Sequence, residues 1–321
     1  MAASAETEWI MSESPRSLLS LLTLSPLGED RWSAPTPAEG PPRLFGGQVA
    51  AQALRAACLS VEPGPRPHSL HGYFIRPGRP DTPLELVVER MRDGRSFTTR
   101  HVTAVQEGQA IFELTASFHT DEDGADWQEP SPTGIPVPEP EADTERDESP
   151  FGGFHATNPF VIRPVRAPGS SFSMHPCWVR IREPLADDPR LHACALAYVS
   201  DLAVVQAARA PGSTGMPFGA SLDHAVWFHR PVDVGQWLLF SAGPVSNFGA
   251  RGLARGMFHT ADGVLVASLA QEALLRTTGR FPMPPGMADL KEEDLAAMKP
   301  EEMAALWQRS RDAGAADGTR A

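Results

Sequence analysis

Cysteine is scarce in this chain. Cys58, Cys177 and Cys194 are the whole complement, an odd number with no CxxC spacing. So few thiols at such intervals point to neither a disulfide framework nor a zinc site, and they suit a reducing compartment. The paired histidines His68/His71 and His224/His229 lack the carboxylate or thiol spacing of a metal site and read as core or surface side chains, so no metal and no cofactor is expected. A basic stripe is also missing, which removes a nucleic-acid footprint. The apolar run Leu18 to Leu27 is interrupted by polar residues and Pro26 and falls well short of the roughly 20 residues of a membrane span. Met1 to Met11 carries Glu6 and Glu8 where a secretory signal would carry Lys or Arg, and Thr319-Arg320-Ala321 is no peroxisomal address. The expectation is a cytoplasmic protein. No GxSxG is present, which excludes the serine elbow of α/β-hydrolases, and no GxGxxG follows a strand pattern.

What is there is a core. The 321 residues are 41% apolar and 21% charged, a globular balance with room for two domains. The net charge of −12 is localised: residues 120–150 hold eleven acidic side chains against Arg146 alone. That Pro-rich stretch cannot bury enough apolar surface to order itself and reads as a solvated linker.

Arg16 to Leu24 suggests a short amphipathic helix, and Arg31-Trp32-Ser33 the start of an edge strand. After the turn Phe45-Gly46-Gly47-Gln48, the run Val49 to Leu59 is small and apolar on nearly every side, as in a helix surrounded by protein. Strand patterns follow over 68–76, 84–91, 96–105 and 110–119. Beyond the linker the order returns: a helix over 193–208 ended by Pro211-Gly212, then strands over 222–230, 237–242, 252–259 and 264–276. Ile75-Arg76-Pro77 and His229-Arg230-Pro231 stand 154 residues apart, Gly108 and Gly263 155, Gln48 and Asp201 153. A near-constant offset argues for duplication. The fold class expected is α+β, a double hotdog of two tandem repeats, each a long buried helix wrapped by an antiparallel sheet. The divisions are 1–119 for the first unit with its short N-terminal helix, 120–150 for the linker and 151–280 for the second unit. Residues 281–321 form a tail, in which 289–309 has an amphipathic pattern broken at Pro300.

Three polar side chains stand in apolar surroundings. Asp201, in Val199-Ser200-Asp201-Leu202-Ala203, is either a buried carboxylate with functional partners or, with Ser200, the cap of a helix starting at Leu202. Ser221 and Gln271 lie in strands that otherwise read as packed, and serve either a site or ordinary cross-strand bonding. Arg95, Arg100, Arg251, Arg255 and Arg276 meet phosphates or are solvated strand-face charges.

These stretches resemble a known family. Phe45-Gly46-Gly47-Gln48-Val49-Ala50-Ala51-Gln52, Arg92-Asp93-Gly94-Arg95-Ser96-Phe97, Ser200-Asp201, Ser221-Leu222-Asp223-His224-Ala225-Val226-Trp227-Phe228-His229-Arg230 and Asp262-Gly263-Val264-Leu265 leading to Gln271-Glu272 are similar to the acyl-CoA thioesterase II family. The similarity spans nearly all of 16–278. It implies hydrolysis of fatty acyl-CoA to free acid and CoA, with Asp201, Ser221 and Gln271 positioning and activating a water. Ser221 stands where many members carry Thr. CoA phosphates would meet rim arginines, of which Arg95, Arg100 and Arg255 are the choices. A homodimer or higher homo-oligomer is expected. The alternatives are a non-catalytic acyl-CoA binding protein of the same fold and a hotdog enoyl-CoA hydratase.

Overall fold

The computed structural model describes residues 17–37, 43–139, 159–165, 174–211, 213 and 218–276. The expected tail helix over 289–309 lies outside them. Among the described residues four helices and thirteen strands follow in order: α1 (Leu18–Leu22), β1 (Ser25–Gly28), β2 (Arg31–Ala34), α2 (Gly46–Leu59), β3 (Arg66–Phe74), β4 (Leu84–Asp93), β5 (Phe97–Gln106), β6 (Gln109–His119), β7 (Phe160–Pro164), β8 (Cys177–Ile181), α3 (Pro189–Ser200), α4 (Val204–Ala207), β9 (Phe218–Ser221), β10 (Asp223–Phe228), β11 (Leu238–Phe248), β12 (Arg251–Thr260) and β13 (Leu265–Arg276). One antiparallel sheet runs β1-β2-β4-β5-β6-β3-β10-β13-β12-β11-β8-β7, with β9 attached to β13. Strands from the first and second halves of the chain meet in the middle of the sheet, where β3 pairs with β10 and His71 faces Ala225.

The alternating sequence of the strands places Leu84, Leu86, Val102, Ala104, Leu114 and Ala116 inward, against α2. Because α2 is sheathed by sheet and by α3, nearly all its residues are buried, including Gln48 and Gln52. Gln52 survives burial by donating to Leu21 O and Pro35 O at 2.9 and 2.8 Å.

α2 and α3 pack antiparallel. At one end Arg190, in the first turn of α3, donates to Cys58 O in the last turn of α2 and to Val61 O and Glu62 O just beyond it. At the other, the amino end of α2 meets the carboxyl end of α3, and a Cβ on Gly47 would stand 2.1 Å from Tyr198 O. Only glycine permits that approach.

The helix expected over 193–208 is two helices. Asp188 caps α3 by accepting Arg190 N–H at 2.9 Å, with Pro189 in the first turn, so the helix starts earlier than the apolar run. It stops at Ser200, and Ala203 adopts a left-handed conformation (φ 56°) before α4. Gln48 therefore opens its helix whereas Asp201 closes its own, and their 153-residue separation is not an equivalence. The described part of the acidic linker, 120–139, has no regular structure, yet it is tied down: Gln128 Nε2 donates to Gly263 O and its Oε1 accepts Leu265 N–H, while Arg230 pairs with Asp126.

Gly47→Ala should lower unfolding free energy by about 1–3 kcal/mol, since the methyl meets backbone rather than a movable side chain. Gly124→Ala, with nothing within 4 Å of the added carbon, should stay within about 0.5 kcal/mol of wild type in the same denaturant titration.

Candidate active site

α2 begins without a capping side chain of its own: Phe45 occupies the cap and no acidic residue stands in its first turn. Asp201, the residue that terminates α3, supplies the missing acceptor, taking Gly47 N–H on Oδ2 at 3.0 Å. The carboxylate thus sits unfavourably at a helix carboxyl end and favourably at a helix amino end at once. It does not cap α4, whose cap is Ala203 with no side-chain bond.

Ser221 and Gln271 reach the same point from the sheet. Ser221 pairs with Ala273, so Gln271 is its diagonal neighbour on the inward face of β13. Between β9 and β10 the chain bends at Leu222, held by Leu222 N–H to Glu272 O at 2.9 Å and Glu272 N–H to Asp223 Oδ1 at 2.6 Å. Gln271 Nε2 donates to Ser221 Oγ at 2.9 Å, and Ser221 Oγ to Asp201 Oδ1 at 3.3 Å. All three expected side chains are brought together. The sequence reading missed a fourth, His224, which is fully buried with Nδ1 at 2.5 Å from Gln271 Oε1 and Nε2 at 2.7 Å from Ser200 Oγ.

Two family models match the chain: acyl-CoA thioesterase N-terminal domain over residues 33–119 and acyl-CoA thioesterase over 153–274. Acyl-coenzyme A thioesterase 8 of Homo sapiens is 37% identical over 282 residues, covering 80% of this chain and 88% of that protein. The chain belongs to the acyl-CoA thioesterase family. It is a thioester hydrolase. Acyl-CoA thioesterase 2 of Haemophilus influenzae is 34% identical, covering 83% of this chain and 99% of its own. Among solved structures, the acyl-CoA thioesterase II of Mycobacterium marinum superposes with a TM-score of 0.67 at 36% identity, over 82% of this chain and 98% of its own. A hotdog-fold protein of Alicyclobacillus acidocaldarius, at 20% identity and a TM-score of 0.62, shares the fold, covering 81% of this chain and 98% of its own. The architecture of this thioesterase is accordingly a hotdog fold.

The arginines do not gather around the carboxylate. Arg100 is 1% exposed and bonded to Ser60 Oγ, Ser60 O and Asp93. It secures the carboxyl end of α2, about 20 Å along that 14-residue helix from the end Asp201 caps. A guanidinium so engaged is not a rim residue, and its expected phosphate role is withdrawn. Arg255 is exposed but follows Ala254, which pairs with Gln271, and so projects from the opposite face of the sheet. Arg95 is exposed in the turn between β4 and β5. Among the described residues of the thioesterase no cluster of His, Cys, Asp and Glu is arranged to hold a metal, and no helix is long and apolar enough to cross a membrane.

Burial dominates the electrostatics. Desolvation raises the Asp201 pKa above the ordinary carboxylate value, opposed by His224 and by hydrogen bonds from Gln271, Gly47 N–H and Ser221. Desolvation likewise lowers His224, keeping it neutral near pH 7, against the pull of Asp201. A carboxylate whose pKa is raised by folding stabilises the fold only when protonated, and that contribution fades as pH climbs through the folded-state pKa. Asp201→Asn should therefore raise the melting temperature at neutral pH. The gain should shrink toward zero as pH falls below the ordinary aspartate pKa, as followed by thermal melts across pH.

Proposed function

We propose that the protein hydrolyses fatty acyl-CoA to free acid and CoA through a water activated by Asp201, Ser221 and Gln271. The observation that carries this is the shared acceptor: a buried carboxylate that accepts from a hydroxyl and a helix amino end, with a carboxamide donating to that hydroxyl, at the junction of α2, α3 and the sheet. The acyl-CoA substrate follows from the names of the relatives. Asp201 takes a proton from the attacking water, and its raised pKa makes it a stronger base than an ordinary carboxylate. The new C–O bond places negative charge on the former carbonyl oxygen, to be met by a backbone N–H or a helix amino end. Collapse breaks the C–S bond, and the departing thiolate leaves as the CoA thiol once it recovers the proton. Ser221 and Gln271 hold the water's geometry, sparing orientational entropy at the barrier.

The duplicated form of the fold belongs to the same reading. Register supports it: β4 opens at Leu84 and β11 at Leu238, β5 at Phe97 and β12 at Arg251, each 154 apart, and the same shift relates the facing residues His71 and Ala225. The helices are closer, Gly46 to Pro189 being 143. The second unit therefore carries about a dozen additional residues between its helix and its central strand, and Asp201 and Ser221 bracket that insertion. One site per chain, in the second unit, is the consequence.

Asp201→Asn should reduce kcat for acyl-CoA hydrolysis by roughly 10² to 10⁴ with binding retained. Thiol release across a series of acyl lengths measures the loss, and undiminished turnover would remove Asp201 from the chemistry.

A further inference from the structure

His224 lies outside any contact with Asp201 in the bond network, yet its position bears on what the network can do. On β10 it occupies the place opposite Gln271, one step beyond the pair Ala225 and Ala270, and it shares the inward face with Val226. The side chain is 0% exposed, as is Gln271. A primary amide buried between two neighbours has two orientations differing by a half turn, and these are not equivalent here. With Oε1 toward His224, the NH2 group faces Ser221. Ser221 Oγ is then an acceptor toward Gln271, and its single proton is free to go to Asp201 Oδ1. Every donor in the line points toward the carboxylate: His224 Nδ1–H to Gln271 Oε1, Gln271 Nε2–H to Ser221 Oγ, Ser221 O–H to Asp201 Oδ1. With the amide reversed, Oε1 would compete with Asp201 for the serine proton, and the carboxylate would lose a donor.

Resting on the assignment of Asp201, Ser221 and Gln271 above, we propose that His224 is a positioning residue whose Nδ1–H fixes the orientation of the Gln271 amide and so aims the Ser221 proton at Asp201. Ser200 completes the device. Its Oγ lies 2.7 Å from His224 Nε2 and donates to Ala197 O at 2.9 Å, so carbonyl and ring nitrogen compete for its one proton. In the hydroxyl rotamer that gives this proton to a bare Nε2 instead of Ala197 O, the ring proton stays on Nδ1, where the amide oxygen needs it. Ser200 sits in the last turn of α3, one residue before Asp201. The helix end thus supplies both the carboxylate and the group that selects the imidazole tautomer.

Two variants separate positioning from bulk. In His224→Asn the shorter amide can present its NH2 where Nδ1–H stood, keeping the donor to Gln271 and forfeiting the bond to Ser200. In His224→Gln the polar group moves toward Ser200, and Gln271 loses its donor. The expected result is that Asn retains kcat within about tenfold of wild type, whereas Gln loses roughly 100-fold, the scale of a misplaced catalytic contact. KM should change little in either, and the acid limb of the Gln variant's rate profile should move to higher pH because Asp201 loses a stabilising donor. Equal losses in the two, or the reverse order, overturn the proposal. Should the Gln variant fail to fold, the wild-type protein decides. Nitrogen-15 spectra of histidine-labelled enzyme, with His224 assigned by its absence from the Asn variant, should show a neutral ring protonated at Nδ1; a bare Nδ1 overturns the proposal. Asp201→Asn, assayed alongside, keeps the two ideas apart. Lost turnover there with an unaffected Gln variant refutes the role of His224 alone, and undiminished turnover there refutes the underlying assignment.

Discussion

The donation from Gly47 N–H to Asp201 is the contact on which the arrangement depends. It needs a helix that lacks its own cap, a second helix that ends in a carboxylate, and two glycines that let the ends touch. A Cβ on Gly46 would lie 2.7 Å from Asp201 Oδ2 and one on Gly47 2.1 Å from Tyr198 O. Once that junction forms, a charge that would be expelled from an apolar interior is held by a helix amino end. Burial then raises the proton affinity of the carboxylate, and the sheet has a fixed point toward which to direct its polar side chains.

The sheet's contribution is one of register. Gln271 faces inward only because β13 alternates strictly through Ala267, Leu269, Gln271 and Ala273, and a slip of one residue would turn it to the outer face. The bend at Leu222 lets β9 and β10 both pair with β13 while placing Ser221 and His224 on either side of the same amide. Polar groups in so enclosed a setting satisfy one another or destabilise the fold, so the requirements of folding and of chemistry coincide here.

Much of this was legible beforehand. Apolar alternation marked β3 to β6 and β10 to β13, and the unbroken small-residue run marked α2, because those patterns record which faces are buried. The grouping of Asp201, Ser221 and Gln271 rested on family resemblance; each residue taken singly also admitted an ordinary structural role. The break after α3 was hinted at only by the reading of Ser200 or Asp201 as a helix cap; the left-handed turn at Ala203 was not, since alanine is an unremarkable residue in an unusual conformation there. Arg100 was misjudged because a charged side chain on a strand reads as solvated until the chain around Ser60 folds over it. His224 was passed over for a related reason: its meaning lies in the residue opposite it, 47 positions away, and no local pattern encodes that neighbour.

The pairing of β3 with β10 has a consequence beyond the site. Since a single ladder and a helix pair run across the middle of the molecule, neither half presents a finished surface when separated; each would expose an open strand edge and an apolar helix flank. The peptide connection between them then acts chiefly as a tether, setting a high local concentration of one fragment for the other. A protein so built should melt as one cooperative unit, and an enzyme severed within its connecting segment would be held together by the interface that folds it.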